Sequence, residues 1–200
     1  MTRRLLDYGE SAVLLECADL TEALSLVGPV AGLERVVEVV PGARTLLLRL
    51  SAPLSGTDRE RLLTLGGEPP TADDTPSLTV DVHYDGEDLA EVAKLTGLSP
   101  EEVVATHTGQ LWTVGFCGFA PGFGYLQGEH DRLRVPRRSS PRTRVPAGAV
   151  GLADRWSGIY PRSGPGGWQL IGRTDTALWD LDRDPPALLQ PGVRLQFRAI

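Results

Sequence analysis

The sequence predicts an α+β protein in two parts, a small two-layer α+β domain over residues 1–76 and a sandwich or barrel of short strands over residues 77–200. Three observations predict it. Strand-like and helix-like segments alternate as far as residue 65, and residues 66–77 (GGEPPTADDTPS) form a Gly-, Pro- and Asp-rich linker without apolar periodicity. From Leu111 onward, short apolar runs are separated by turn residues. At 200 residues and 41% hydrophobic, the chain can fill one large core or two small ones.

In order, residues 11–17 (SAVLLEC) read as a strand, 20–30 as a short amphipathic helix, and 36–40 and 45–50 (TLLLRL) as two strands joined by a turn at Pro41-Gly42. Residues 58–65 supply a second helix, capped from Ser55 or Thr57. Past the linker, residues 78–84 alternate as a strand, and 88–96 and 99–106 read as helices. The second carries a capping box with proline at its first position, Ser99-Pro100-Glu101-Glu102. Residues 193–197 (VRLQF) are the expected closing strand.

No apolar run approaches the ~20 residues that span a bilayer, which with the mixed N-terminal residues gives a cytoplasmic, non-membrane expectation. Cys17 and Cys117 lack metal-ligand or disulfide spacing and read as small core residues. A formal charge of −6 argues against general nucleic-acid binding. The distribution says more: residues 132–173 hold nine arginines and one acid, Asp154, a local positive field suited to a small anion or an acidic partner.

The densest run lies at residues 115–174, where glycine, proline, arginine and aromatic side chains alternate and no regular helix can pass. Gly118-Phe119-Ala120-Pro121-Gly122-Phe123-Gly124-Tyr125 can expose backbone amides to an anion while its rings exclude water, although a glycine-rich turn alone favours a structural corner. Pro136, Pro141 and Pro146 recur every five residues, so this piece runs extended along a surface. Arg142 and Arg144 can offer planar donor forks to a carboxylate or phosphate, or pin loops through backbone carbonyls. Gly166-Gly167-Trp168 reads as a second tight loop. His107 is placed after a helix and, on mechanics alone, reads as structural.

Taken in order, HTGQLWTVGFCGFAPGFGYLQG, RLRVPRRSSPRTRVPAGAVGLA, SGIYPRSGPGGWQLIGRT and LLQPGVRLQF resemble the allophanate hydrolase subunit 1 family, also called the KipI-like or PxpB family, the latter being the B subunits of 5-oxoprolinase. GFxPGFxYL, PRxxxPRxxVPxG and GIYPxxxPGGWxxIGRT are together highly specific. The resemblance is strongest over residues 107–197. It implies a small ferredoxin-like α+β domain followed by a cyclophilin-like β-barrel.

What it implies is one subunit of an ATP-dependent 5-oxoprolinase that opens 5-oxo-L-proline to L-glutamate while ATP becomes ADP and phosphate. The implied partners are a KipA/PxpC-type subunit (allophanate hydrolase subunit 2) and a PxpA-type subunit, with ATP used by the complex and neither biotin nor metal expected. Carried onto this chain, the resemblance points to His107, Arg142 and Arg144 as catalytic residues. Its substrate-binding positions are Phe119, Pro121, Gly122, Phe123, Tyr125, Pro146, Gly148, Tyr160, Gly166, Gly167 and Trp168. A lactam is resonance-stabilised and needs activation before water attacks, so such a site must hold a carboxylate, a phosphoryl group and a developing oxyanion. The family also includes regulatory inhibitors of a sensor histidine kinase, and a third reading is a carboxyltransferase or allophanate hydrolase component acting on a urea-like substrate.

Overall fold

A computed structural model describes residues 3–68 and 77–200. Most of the expected linker, residues 69–76, lies outside the described residues, and the expected boundary at residue 76 with it. The chain separates into two compact units, Met1–Thr75 and Pro76–Ile200.

In the first unit, β1 (Arg4–Asp7), β2 (Ala12–Glu16), β3 (Val36–Pro41) and β4 (Thr45–Leu50) form a four-stranded antiparallel sheet in the order β1-β2-β4-β3. Helices α1 (Leu20–Ala31) and α2 (Gly56–Thr64) complete it. Period-two burial puts Val13 and Leu15 of β2 and Leu46, Leu48 and Leu50 of β4 in one core. Ala23, Leu26 and Val30 of α1 meet them at helical spacing, with Leu62 of α2. Ser55, not Thr57, caps α2, in a reciprocal box with Asp58. Strand β1 has no sequence counterpart: four residues (RLLD) with one half-buried side chain carry no alternation to read. It takes the edge position that completes the ferredoxin-like sheet from the N-terminal side.

The second unit is a nearly closed barrel. Its strands are β5 (Ser77–Val82), β6 (Trp112–Cys117), β7 (Gly124–Gly128), β9 (Ala149–Ala153), β10 (Trp156–Ile159), β12 (Gln169–Arg173) and β13 (Arg194–Ala199), in the sheet order β12-β9-β10-β7-β6-β13-β5. The first and last of them, β5 and β13, pair in parallel. A bridge between His83 and Arg173, with both N–H···O bonds at 2.9 Å, ties the β5 end to β12 and brings the two sheet edges together. Two short strands, β8 (Arg142–Val145) and β11 (Gly164–Gly166), form a separate ribbon.

Helices α3 (Leu89–Thr96) and α4 (Pro100–Thr108) lend Val92, Ala93 and Val103 to the barrel core, beside Val80, Trp112, Leu126, Leu152, Leu195 and Phe197. The Ser99–Glu102 capping box forms as the sequence predicts. Gly97 ends α3 in the left-handed conformation. Among the described residues no helix crosses the 115–174 run, and none is long and apolar enough to cross a membrane.

Strand β9 is buried along its whole length because it is covered on both faces. Val150 and Leu152 turn into the barrel core. Ala149 and Ala153 turn outward, against a second cluster formed by Phe123, Val145, Tyr160, Trp168 and Leu170. The ring-rich loops therefore pack on the barrel's outer wall.

Candidate active site

Phe123 stands at the centre of the outer cluster. Its ring meets Tyr125, Tyr160 and Trp168 edge-to-face at centroid distances of 5.1, 5.4 and 5.3 Å, and Phe119 at 5.3 Å. Each such pair adds about 0.5–1.5 kcal/mol to what area burial supplies. The rings close this tightly because β10 presents Gly158 beneath them. A Cβ there would lie 2.9 Å from both Phe123 Cζ and Trp168 Cζ3.

Phe119 is the exception in this cluster. It is 60% exposed and holds φ +68°, a left-handed conformation that a bulky L residue rarely adopts. Three backbone bonds fix the turn: Ala120 N–H to Gly118 O (2.7 Å), Phe123 N–H to Ala120 O (3.0 Å) and Gly118 N–H to Phe123 O (3.2 Å). Strain of this kind gathers at ligand clamps.

Between these rings lies a pocket of about 60 Å³ lined by Phe119, Phe123, Tyr125, Arg137, Tyr160, Gly166, Gly167 and Trp168. Seven of the sequence-predicted binding residues thus meet in one place, although 119 and 168 lie far apart in the chain. Pockets that enclose drug-sized ligands run to ~300–1,000 Å³, so this one is too small to enclose a nucleotide. Burial raises the Tyr160 phenol, opposed by a bond from the Trp168 N–H and by the charges of Arg137 and Arg142. It stays protonated at neutral pH.

The remaining predicted residues sit elsewhere. Pro121 is exposed on the turn, and Gly122 at φ +82° backs onto Leu178 and Trp179. Pro146 and Gly148 make the turn between β8 and β9, where the Gly148 N–H donates to Tyr160 O at 2.7 Å. Exposed Arg144 donates to Ser163 Oγ at 3.1 Å.

Arg142 does not present a free fork. Its Nη2 donates to Asp88 Oδ1 at 2.9 Å and to Glu87 at 3.0 Å, and the side chain is 14% exposed. Nη1 lies 2.9 Å from Asp88 Oδ2 but out of hydrogen-bond alignment. Asp88, 4% exposed, also accepts from Arg138 Nη1 at 2.5 Å and from the Leu170 N–H at 2.7 Å. Burial pushes its carboxyl up. The bonds from Arg142 and Leu170, with the Arg142 and Arg138 charges, outweigh that and hold it below its ordinary range. Asp88 stands at the cap position of α3, at the start of the predicted helix. Its side chain caps nothing and instead clamps the 138–142 arm to β12.

His107 is likewise placed differently from expectation. It belongs to α4 rather than following it, and it is fully buried in the barrel core and does not line the pocket. Its ring stacks on Phe197 at 4.2 Å, Nδ1 meets the Tyr84 hydroxyl at 2.7 Å, and Nε2 meets Ser157 Oγ at 2.9 Å. Burial lowers its pKa from 6.5 to about 3, so the ring is neutral.

Sequence reasoning missed Asp88, Ser157 and Arg137. The first two act through contacts that span 54 and 50 residues, for which no local pattern exists. The signal for Arg137 was the proline spacing itself, which predicts an extended arm able to aim one side chain outward. A larger hollow of about 320 Å³, lined by Glu102, Ala105, Thr106, Gly109, His130 and Arg132, contains none of the predicted site residues. Among the described residues, no three His, Cys, Asp or Glu side chains converge in a metal-binding group.

The chain belongs to the family described as carboxyltransferase domain, subdomain C and D, whose model matches residues 3–189. Its relatives there carry a more particular name. The chain is 39% identical over 201 residues to the B subunit of 5-oxoprolinase from Escherichia coli O157:H7, covering 94% of this chain and 92% of that protein. It is 50% identical over 121 residues to the B subunit of 5-oxoprolinase from Bacillus subtilis (strain 168), covering 59% of this chain. That match spans 50% of the Bacillus protein's length. Among solved structures, TTHA0988 superposes with a TM-score of 0.78 at 36% identity, over 94% of this chain and 40% of that one.

Proposed function

We propose that this chain is the B subunit of an ATP-dependent 5-oxoprolinase, inactive alone, that opens 5-oxo-L-proline with KipA/PxpC-type and PxpA-type partner subunits. The near full-length likeness to a protein named as the B subunit of 5-oxoprolinase carries the reading. The pocket is consistent with it: flat rings and two glycines suit one face of a five-membered lactam. Its small volume leaves ATP to be bound elsewhere in the complex.

In this proposal the chain supplies one wall of a shared site, formed by Phe119, Phe123, Tyr125, Tyr160, Gly166, Gly167 and Trp168. Arg144 faces the partner-completed side, where a phosphoryl group or oxyanion develops. Arg142 contributes by holding the arm that carries the site, and His107 by fixing β10 through Ser157.

The test is co-purification with both partner subunits and an assay of 5-oxoproline-dependent ATP hydrolysis. We expect hydrolysis by the complex and none by the chain alone. A verified complex that hydrolyses no ATP in response to 5-oxoproline would refute the proposal and leave a non-catalytic binding role. Arg144→Ala should cut turnover by roughly tenfold or more, the weight of one charged hydrogen bond to the reacting group.

A further inference from the structure

We propose that Arg137 is the carboxylate-binding and specificity-determining residue of the aromatic pocket, whose ligand is a small flat ring bearing one carboxylate. The inference rests on the functional reading above for the identity of that ring as a cyclic amide.

Three observations carry it. The pocket lining contains one charged side chain, Arg137, and no acid. Of the other eight arginines in the run, five are held by carboxylates of this chain, Arg134 by Asp154, Arg138 and Arg142 by Asp88, Arg155 by Asp131 and Arg173 by Asp85, while Arg132, Arg144 and Arg162, which no acid among the described residues holds, do not line this pocket. Among the described residues, Arg137 makes neither a hydrogen bond nor an ion pair. An unpaired guanidinium at the edge of an apolar pocket is a fork waiting for an anion, and the anion must come with the ligand.

The backbone around Arg137 is also fixed. The Pro136 carbonyl accepts from Gln169 Nε2 at 3.2 Å, and the Arg138 N–H donates to Gly167 O at 2.8 Å. Arg138 itself is turned onto Asp88. In this extended arm, anchoring position 138 to Asp88 leaves position 137 on the pocket side, so Asp88 acts as a positioning residue for Arg137. The aromatic walls take the flat faces of the ring and Arg137 takes its carboxylate.

Ligand-detected NMR titration tests this on the full chain and on its complex, with two probes: 5-oxo-L-proline and 2-pyrrolidinone, the same lactam without the carboxylate. The wild type should prefer 5-oxo-L-proline by roughly tenfold or more, the span expected for one charge-assisted pair. Arg137→Gln should abolish the preference by weakening 5-oxo-L-proline alone, and Arg137→Lys should restore part of it. A merely structural arginine would weaken both probes equally. An unchanged preference in Arg137→Gln, or no binding of either probe to chain or complex, would overturn the inference. The two failures separate: a wild-type complex that binds 5-oxo-L-proline through Arg137 but turns none over refutes the functional reading alone.

Discussion

Lowering the pH from about 8 to about 5 should weaken the second unit through His107, by an amount that follows from its burial. In the unfolded chain the imidazole titrates near 6.5, and in the folded barrel near 3. The unfolded state therefore takes up the proton first. Stability is lost as the pH falls below 6.5, by about 1.4 kcal/mol per pH unit, until the folded pKa is reached. By about pH 5 the loss amounts to roughly 2 kcal/mol, a sizeable share of the ~5–15 kcal/mol that holds a domain folded. All four tryptophans, at 112, 156, 168 and 179, belong to this unit, so urea unfolding followed by tryptophan fluorescence reports on it selectively. His107→Gln should lack this increment, making the pH dependence about 2 kcal/mol shallower between pH 8 and pH 5 than in the wild type. The depressed carboxylates Asp81 and Asp88 lose their contribution only at lower pH and are common to both proteins. Equal slopes for wild type and variant would refute the reasoning, as would an imidazole NMR signal that titrates near 6.5 in the wild type and is missing from His107→Gln.

Three further outcomes follow from the packing. Asp88→Ala leaves Arg142 and Arg138 without their shared carboxylate and should destabilise the second unit by about 3–5 kcal/mol in urea unfolding; a loss under ~1 kcal/mol would show the clamp to be idle. Gly158→Ala drives a methyl between Phe123 and Trp168 and should cost about 1–3 kcal/mol, with a changed near-UV circular dichroism spectrum. Phe119→Gly relieves a left-handed aromatic, about 1–2 kcal/mol, but removes its ring contact with Phe123, about 0.5–1.5 kcal/mol, so stability should change by less than about 1 kcal/mol while 5-oxo-L-proline binding weakens; a fall beyond about 2 kcal/mol would count against strain at that turn.

Where a local rule decides an element, the sequence was legible. Ser99 and Glu102 sit three apart before an apolar face, and the box they form needs nothing from elsewhere. The four residues of β1 are held only by pairing with β2, so their conformation is a tertiary result. In the site, spacing alone favoured a structural corner, and the resemblance named seven residues that line one pocket, where close ring packing demands glycine at fixed places. Charge partners were not legible. Which of the nine arginines are held depends on acids such as Asp85 and Asp88, each brought up from a distant part of the chain. Arg142 and Arg137 each follow a proline, and only the fold tells them apart.

The parallel pairing of β5 with β13 has a kinetic consequence. Asp81 and Arg198, bonded across that pair, are 117 residues apart in the chain. Closing a loop of that length costs roughly 4 kcal/mol of chain entropy before any contact repays it. Non-local pairings of this kind slow folding. The hairpins that carry the aromatic loops join strands near in sequence and can assemble early, but the wall behind them is complete only when the last strand docks. The pocket's rigidity is therefore set at the end of folding, and a weakened β13 would loosen the aromatic pocket without touching any residue that lines it.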